Sequence, residues 1–249
     1  SYRDRPLHLG PYALEKLTYT QQEPDYASLQ AMQQLSFLRP EAPLSIINAM
    51  DEYQAMMDAI REGVIKKQVA TIPSDPLERS EHLKSFGYFS DASMVGTCAI
   101  PSSAWLEQPF VNPSVDKLTN TLATKQVKTL ASGIDVVLAM LRESMQAPPQ
   151  NCQHHTHALV FLYEYTREPK TDETGTEWFT DAQAHRAALR ASETASILSA
   201  YVRSLGYQAR AHSASASDVD LYKVAVAAGL VAIEDGQVSN PFLGSRFGL

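Results

Sequence analysis

Cysteine is scarce in this chain: 249 residues contain only two, Cys98 and Cys152. Two cysteines cannot build a framework of disulfides, which favours a reducing compartment. They are also too few for an iron–sulfur cluster, which takes about four cysteine ligands. We therefore expect this chain to hold no iron–sulfur cluster of its own.

Long apolar runs and positive charge are lacking as well. No apolar run approaches the ~20 residues that span a bilayer, and no secretory signal is visible at the N-terminus. The net charge of −7 argues against a nucleic-acid or anionic-membrane surface. The hydrophobic fraction of 44% and the charged fraction of 20% are ordinary for a globular protein. We expect a cytoplasmic protein with no nucleic-acid and no membrane partner.

Two regions are predicted along the chain. Residues 1–43 are rich in proline and polar residues and read as an N-terminal arm with one helix at Tyr26–Leu38, and residues 44–249 read as one module. Few strands separated by long helices predict an α+β fold, with one central, mainly antiparallel sheet covered by helices. Helices are predicted near 46–60, 75–87, 112–145 (broken near Ser132-Gly133), 181–205 and 217–229, and strands near 93–100, 157–165, 208–212 and 230–247.

Local signals set several of these boundaries. The first helix has an apolar stripe, and the second begins at Asp75-Pro76 and ends at Gly87. A capping box is predicted for the long helix, and a turn at Asp235-Gly236 predicts a hairpin. The apolar stripe of the first helix consists of Ile46, Ile47, Met50, Tyr53, Met57 and Ile60, and the apolar face of the second of Leu77, Leu83 and Phe86. The capping box of the long helix is formed by Thr180 and Gln183. The last helix has Ser217 as its N-cap and Asp220 in its first turn.

The segment Cys152-Gln-His-His-Thr-His157 is the one metal-like pattern. His155 and His157 would share a face of an early-starting strand, and Cys152 could be a third ligand. Structural zinc sites usually pair ligands from separated segments, and these are crowded into six residues. We interpret the segment as the polar entrance of a strand and predict no metal site.

A second candidate is the serine-rich loop after residue 212. Ser213, Ser215 and Ser217 could offer hydroxyls, and the following helix its backbone N–H groups, to an anionic or amide-bearing ligand. The simpler interpretation, which we prefer, makes Ser217 a helix cap and the other two serines turn residues. The loop lacks the glycine pattern of a dinucleotide or P-loop site.

No catalytic residue is assigned. No nucleophile occupies a recognisable elbow, so no catalytic triad can be argued. Three carboxyl groups near apolar elements, Glu164, Asp218 and Asp220, are interpreted as helix caps or rim residues. Two single histidines, His185 and His212, receive no role. Trp178 and Phe179 are predicted to form a hydrophobic staple before the long helix.

A set of short segments in a fixed order, between Asp91 and Leu249, carries a family resemblance. These are His185-Arg-Ala-Ala-Leu, Tyr201-Val-Arg-Ser-Leu-Gly-Tyr207, Asp218-Val-Asp-Leu221, Ala225-Val-Ala-Ala-Gly-Leu230 and Asn240-Pro-Phe-Leu-Gly-Ser-Arg-Phe247. Together they resemble the corrinoid-binding core of reductive dehalogenases and of the related epoxyqueuosine reductases. The resemblance implies a nitroreductase-like, corrinoid-binding-domain-like core.

Departures from that pattern favour one member of the group. The family hairpin usually has a Gly-rich turn feeding a Pro-Glu-Phe-Gly type segment, where this chain has Glu234-Asp-Gly-Gln237 and then Asn240-Pro-Phe. The cluster cysteines are missing, and the chain stops on Phe-Gly-Leu within an apolar stretch, which indicates a piece of a longer protein. Catabolic, cytosolic reductive dehalogenases look like two tandem copies of the corrinoid domain, the first degenerate. This chain resembles that N-terminal copy.

The resemblance implies an oxidoreductase that uses cobalamin and two 4Fe-4S clusters to remove halogen from an organohalide. Within it this chain is expected to be structural, with no cofactor of its own, and its partner is the C-terminal catalytic half of the same polypeptide. Two alternatives remain: a functional corrinoid- or flavin-binding domain using residues 213–217 and 240–244, or a fragment of an epoxyqueuosine-reductase-like enzyme.

Overall fold

A computed structural model describes residues 45–124, 151–165, 176–179 and 181–249. The predicted arm, its Tyr26–Leu38 helix, the helical region through Val136–Met145 and the capping residue Thr180 lie outside the described residues.

Helices and short strands alternate along the described chain. In order they are α1 (Ile46–Ala59), α2 (Pro76–Phe89), β1 (Met94–Ala99), a 3-10 turn (Ser102–Ala104), β2 (Trp105–Phe110), α3 (Pro113–Thr124), β3 (His157–Glu164), α4 (Thr176–Phe179), α5 (Ala182–Ser204), β4 (Ser217–Val219), α6 (Leu221–Ala227), β5 (Ala232–Glu234), β6 (Gln237–Ser239) and β7 (Phe247–Gly248).

The strands form small antiparallel sheets rather than the single central sheet that was predicted. The largest described sheet has the order β1-β3-β7, with Met94 opposite Leu162 and Tyr163 opposite Gly248. β2 pairs with β4, and β5 pairs with β6 around the predicted Asp235-Gly236 turn. The chain is therefore a mixed helix and strand fold, as predicted at that level.

One predicted strand is corrected. Residues 208–212 form no strand and join no described sheet, and the backbone N–H of Ala211 donates instead to the carbonyl of Arg61. The region 230–247 contains the hairpin predicted between Leu230–Glu234 and Gln237–Ser239, which is formed by β5 and β6, followed by a bridge between Asn240 and Gly244 and by β7. β2 was not predicted, because its exposed polar residues and Pro109 disguise a strand that pairs only at its two ends.

The main sheet separates two apolar clusters. Successive side chains of a strand point to opposite faces, and β3 follows this rule: Leu162 packs in the cluster with α6 and the β5–β6 hairpin, whereas Tyr163 packs in the cluster with α5. α5 supplies alanines to its cluster, and β7 lies so close to it that a Cβ at Gly248 would overlap the backbone at Ala187 and Ala188.

Several helix ends match the sequence signals and others do not. Asp75 caps α2 through Leu77 as predicted, and positive φ angles at Gly206 and Gly229 fit the predicted ends of α5 and α6. α2, however, continues past Gly87, which is buried against Phe161 and Val95.

Three further predictions are wrong in detail. Ser217 belongs to β4, and Asp220 is the cap of α6, accepting from the N–H groups of Tyr222 and Lys223. Trp178 and Phe179 are each 44% exposed, which is not the burial that a staple requires. On α1 and α2, Ile46, Tyr53 and Leu77 are exposed although they were assigned to apolar faces.

Candidate functional site

Most of the candidate residues lie on or beside the segment 209–220, which we call the serine loop. This loop contacts a polar cluster on α1 and lines a cavity beside α5. Its serines were predicted to be turn and cap residues. The structure instead places two of them on a buried carboxyl group of α1, Asp58.

Asp58 is the centre of the first cluster and is 7% exposed. Its two oxygens accept four hydrogen bonds, from Gln54 Nε2 (2.9 Å), Asn112 Nδ2 (2.8 Å), Ser213 Oγ (2.6 Å) and Ser215 Oγ (2.6 Å). These donors come from α1, from the start of α3 and from the serine loop. A buried carboxyl group is tolerated when its oxygens are satisfied in this way, and Asp58 thereby ties three separate segments together.

The cluster extends along α1 through Asp51. Ser114 donates to an oxygen of Asp51 at 3.1 Å, and Asn112, which donates to Asp58, also caps α3 through the N–H of Ser114. Burial raises the pKa of Asp51, an effect that the Ser114 hydrogen bond opposes and the neighbouring Asp58 reinforces. The buried face of α1 is thus polar as well as apolar.

The three candidate serines have their hydroxyl protons engaged within the protein. Ser213 and Ser215 donate to Asp58, and Ser217 donates to the carbonyl of Val219 at 2.7 Å. A hydroxyl has one proton to donate. A ligand could therefore receive a hydrogen bond from these serines only by replacing an internal one.

A second cluster lies on the other side of the loop and centres on Asp218. Its Oδ2 is 2.9 Å from Arg210 Nη1 and 3.3 Å from Arg61 Nη1. Arg210 is also paired with Glu62 at 2.5 Å, and its side chain is only 4% exposed. Two guanidinium groups thus face two carboxyl groups, which balances the buried charge as such groups require.

His212 is a neutral member of this cluster. Its Nδ1 accepts from the backbone N–H of Asp218 at 3.3 Å, so the ring proton lies on Nε2. Burial, the largest cause, lowers the pKa of His212 to about 3; Asp218 opposes the shift, and Arg61 and Arg210 add to it. The 3.6 Å approach of His212 to Asp218 is therefore not an ion pair near neutral pH.

This buried histidine predicts a pH dependence of stability. The unfolded chain takes up a proton near pH 6.5, whereas folded His212 stays neutral until about pH 3. The free energy of unfolding should therefore fall as the pH is lowered from about 6.5 towards 3, with a slope from this group of up to ~1.4 kcal/mol per pH unit. Chemical denaturation at a series of pH values measures it.

The control for that measurement is His212→Asn, whose side-chain oxygen can replace Nδ1 as the acceptor but cannot titrate. The difference in unfolding free energy between the parent and His212→Asn removes the contributions of other groups, including Asp51, whose raised pKa acts in the opposite direction. A difference that stays constant between pH 7 and pH 4 would contradict a neutral, buried His212.

The possible metal ligands of the segment 152–157 contact different partners. Arg210 donates to Cys152 Sγ at 3.2 Å, His154 contacts the side chain of Gln208, and His157 Nδ1 lies 2.9 Å from the hydroxyl of Thr156. Burial raises the pKa of the Cys152 thiol. Across the described residues, no three His, Cys, Asp or Glu side chains are grouped as metal ligands.

A partly enclosed cavity of about 150 Å³ lies beside α5 and the serine loop. Its walls include aromatic and aliphatic side chains together with His185, one of the histidines left without a role. The side chains that define its shape are Phe110, Ala184, Leu221, Tyr222 and Phe247. His185 Nδ1 lies 3.0 Å from the carbonyl of Asp181 one turn earlier.

Other candidates have structural roles. Glu164, the last residue of β3, lies 3.7 Å from Arg246, and Asp220 is a helix cap. Sequence reasoning missed Asp58 entirely. Its signal was the i, i+3, i+7 spacing of Asp51, Gln54 and Asp58, a polar stripe that can share a helix face.

Comparisons with known proteins identify the fold. No family model matches the chain, and no curated protein matches it. A solved structure of the catabolic reductive dehalogenase NpRdhA, N-terminally tagged, matches all of the chain at 31% identity with a TM-score of 0.69. The chain is a reductive-dehalogenase-like module.

Two further solved structures support this relationship. One is the same dehalogenase in complex with 3-bromo-4-hydroxybenzoic acid, at 32% identity and a TM-score of 0.67, again over the whole chain. The other is a reductive dehalogenase described as suggesting a mechanism for B12-dependent dehalogenation, at 31% identity and a TM-score of 0.65. The module spans 28% of the bromohydroxybenzoate complex and 29% of the other two chains.

The described part of the module contains no helix long and apolar enough to cross a membrane.

Proposed function

We propose that this chain is a structural, cofactor-free module of a B12-dependent reductive dehalogenase that removes halogen from organohalides. The proposal is supported by the whole-chain match to dehalogenase structures at 30–32% identity. Cobalamin, two 4Fe-4S clusters and the catalytic residues would belong to the remaining, C-terminal portion of such an enzyme, which would be the partner of this module. The enzyme would act in the cytoplasm.

The size of the cavity carries the proposal. Ligand sites for drug-sized molecules usually measure about 300–1,000 Å³, and a corrinoid is larger than such molecules. The cavity beside α5 has about 150 Å³, which is the volume that holds a benzene-sized molecule. This volume disfavours a corrinoid between these walls.

The groups that would have to hold a cofactor are engaged elsewhere. The hydroxyls of Ser213 and Ser215 bind Asp58. In the turn 240–244, Asn240 Nδ2 donates to the carbonyl of Leu230 at 2.6 Å, and its Oδ1 accepts from the N–H groups of Phe242 and Leu243. These contacts disfavour the alternative of a corrinoid or flavin bound by the two loops.

The two cysteines, Cys98 and Cys152, do not form a site for an iron–sulfur cluster either. Cys98 donates to the carbonyl of Val224 and Cys152 accepts from Arg210, and the whole sequence has no third cysteine. A cluster with about four thiolate ligands therefore has no donor set here.

We further propose that the module derives from duplication of a nitroreductase-like, corrinoid-binding domain. Antiparallel strands covered by helices support such a core. The Asp58 cluster and the close packing of β7 on α5 would then occupy the place of the original cofactor site in this module. The helices and strands around that place would have been retained.

Corrinoid loading tests the structural role. The intact protein is saturated with hydroxocobalamin, freed of unbound corrinoid, and assayed for cobalt per polypeptide and visible absorbance. We expect at most one corrinoid per polypeptide, with the same content in an Ala184→Leu variant, which narrows the cavity in this module. Two corrinoids per polypeptide, or a content that falls in Ala184→Leu but not in the surface variant Ala200→Leu, would refute the cofactor-free role.

A further inference from the structure

The cavity beside α5 has the properties of a binding site for a small ligand, although it is too small for a corrinoid. Phe110, Leu221 and Phe247 give it apolar walls, and Ala184 leaves the space open on the side of α5. Its volume of about 150 Å³ equals that of an apolar protein cavity that binds benzene. One aromatic ring therefore matches the space.

One polar group in the wall is available to such a ligand. The hydroxyl of Tyr222 makes no hydrogen bond to another of the described residues, although the ring is mostly buried and lines the cavity. Burial, followed by the nearby Asp220 and Tyr165, raises the pKa of Tyr222. The phenol is thus neutral and can both donate and accept a hydrogen bond.

The charge around the cavity selects against anions. Among the described residues that line it there is no lysine or arginine, and the carboxyl group of Asp220 is buried in the chain next to Leu221 and Tyr222. An anionic ligand would lose its hydration, which is costly, and His185 is the one side chain among the described lining residues that could offer it a positive charge. An uncharged ligand avoids this penalty.

We propose that this cavity binds an uncharged, one-ring aromatic molecule, with a hydroxyl on the ring substituent bonded to Tyr222. Binding in this cavity depends neither on a corrinoid bound to the protein nor on a role of the module in dehalogenation. Its occupation would fill a void between α5, β7 and the serine loop.

Ligand binding to the intact protein by saturation-transfer NMR and calorimetry tests the proposal, with benzyl alcohol and benzoate as probes that differ mainly in charge. We expect saturable binding of benzyl alcohol, and binding of benzoate at this site at least about tenfold weaker. Ala184→Leu should remove the benzyl alcohol site, whereas Ala200→Leu, the same change at an exposed position of α5, should retain it. Circular dichroism checks the fold of both variants.

Tyr222→Phe supplies a test that does not depend on filling the cavity. It should weaken the binding of benzyl alcohol about three- to tenfold, which is the effect of one hydrogen bond. The affinity for toluene should change by less than about twofold. The proposal is overturned if benzyl alcohol does not bind, if it binds equally to Ala184→Leu in a folded variant, if benzoate competes for the same site with equal affinity, or if Tyr222→Phe weakens toluene as much as benzyl alcohol.

Discussion

Replacing Asp58 with alanine is expected to lower the free energy of unfolding by about 3–5 kcal/mol. Four donors lose their acceptor at once, and a buried donor left unsatisfied costs about 1–3 kcal/mol. The sum is an upper bound, because the hydroxyls of Ser213 and Ser215 lie 3.2 Å apart and can partly satisfy each other. Equilibrium denaturation in urea, with the slope checked for two-state behaviour, measures the loss.

Two variants separate the hydrogen bonds from the charge. Asp58→Asn keeps the shape of the side chain but turns one acceptor into a donor that faces other donors, so we expect it to lose most of what Asp58→Ala loses. Glu52→Ala removes an acidic side chain from the exposed face of the same helix and should change stability by less than about 0.5 kcal/mol. An Asp58→Ala variant as stable as Glu52→Ala would show that the cluster contributes little to the fold.

The elements that sequence reasoning predicted well are those specified by neighbours in the chain. Asp75 and Pro76 define the start of α2 within a few residues, and Asp235-Gly236 fixes the β5–β6 hairpin by its turn geometry. β3 is recognisable from its own run of apolar residues. In each case the physical cause lies within one helical turn or one strand.

The candidate site was not predictable in the same way because its contacts join distant segments. Asp58 meets Ser213 across 155 positions of sequence, and no local rule selects that pairing. The serine loop was read from its own residues as a turn and a cap, whereas α1 supplies the partner that explains the serines. The spacing of Asp51, Gln54 and Asp58 can be read from the sequence, but the apolar stripe on the same helix is enough to explain its amphipathicity, so the polar stripe gives no separate signal.

The missed sheet arrangement has a related cause. Residues 208–212 were predicted as a strand from their place after α5, yet they contain no β-branched residue, and the N–H of Ala211 finds its acceptor at Arg61, in the loop after α1. That contact holds the segment between the two polar clusters rather than against β3. Strand formation depends on such tertiary partners as well as on local sequence.

If the module holds no cofactor, as proposed, its buried polar groups explain how the scaffold stays ordered. A void or an unpaired polar group in place of a lost ligand would destabilise the fold. The Asp58 cluster and the Asp218 cluster instead each satisfy their own donors and acceptors. A void of about 150 Å³ remains beside α5.

Replacing Arg210 with methionine is expected to lower the free energy of unfolding by about 3 kcal/mol. Removing one partner of a buried ion pair costs about 3–5 kcal/mol, because the other charge stays buried without compensation. The loss should lie at the lower end, since Asp218 retains Arg61 at 3.3 Å. Methionine preserves the apolar stem, so the change reports on the guanidinium group and its contacts with Asp218 and Glu62.

Arg246→Met is the matched control, because Arg246 is half exposed and its pairing with Glu164 at 3.7 Å is weak. Exposed pairs contribute at most about 1 kcal/mol and are screened by salt. The effect of Arg210→Met should persist in high salt, and Arg210→Lys should recover only part of the stability, because an ammonium group cannot bridge Asp218 and Glu62 as a planar guanidinium does. Equal losses for Arg210→Met and Arg246→Met would exclude a stabilising role for the Asp218 cluster, and with it the view that internal polar pairing replaces a cofactor in this module.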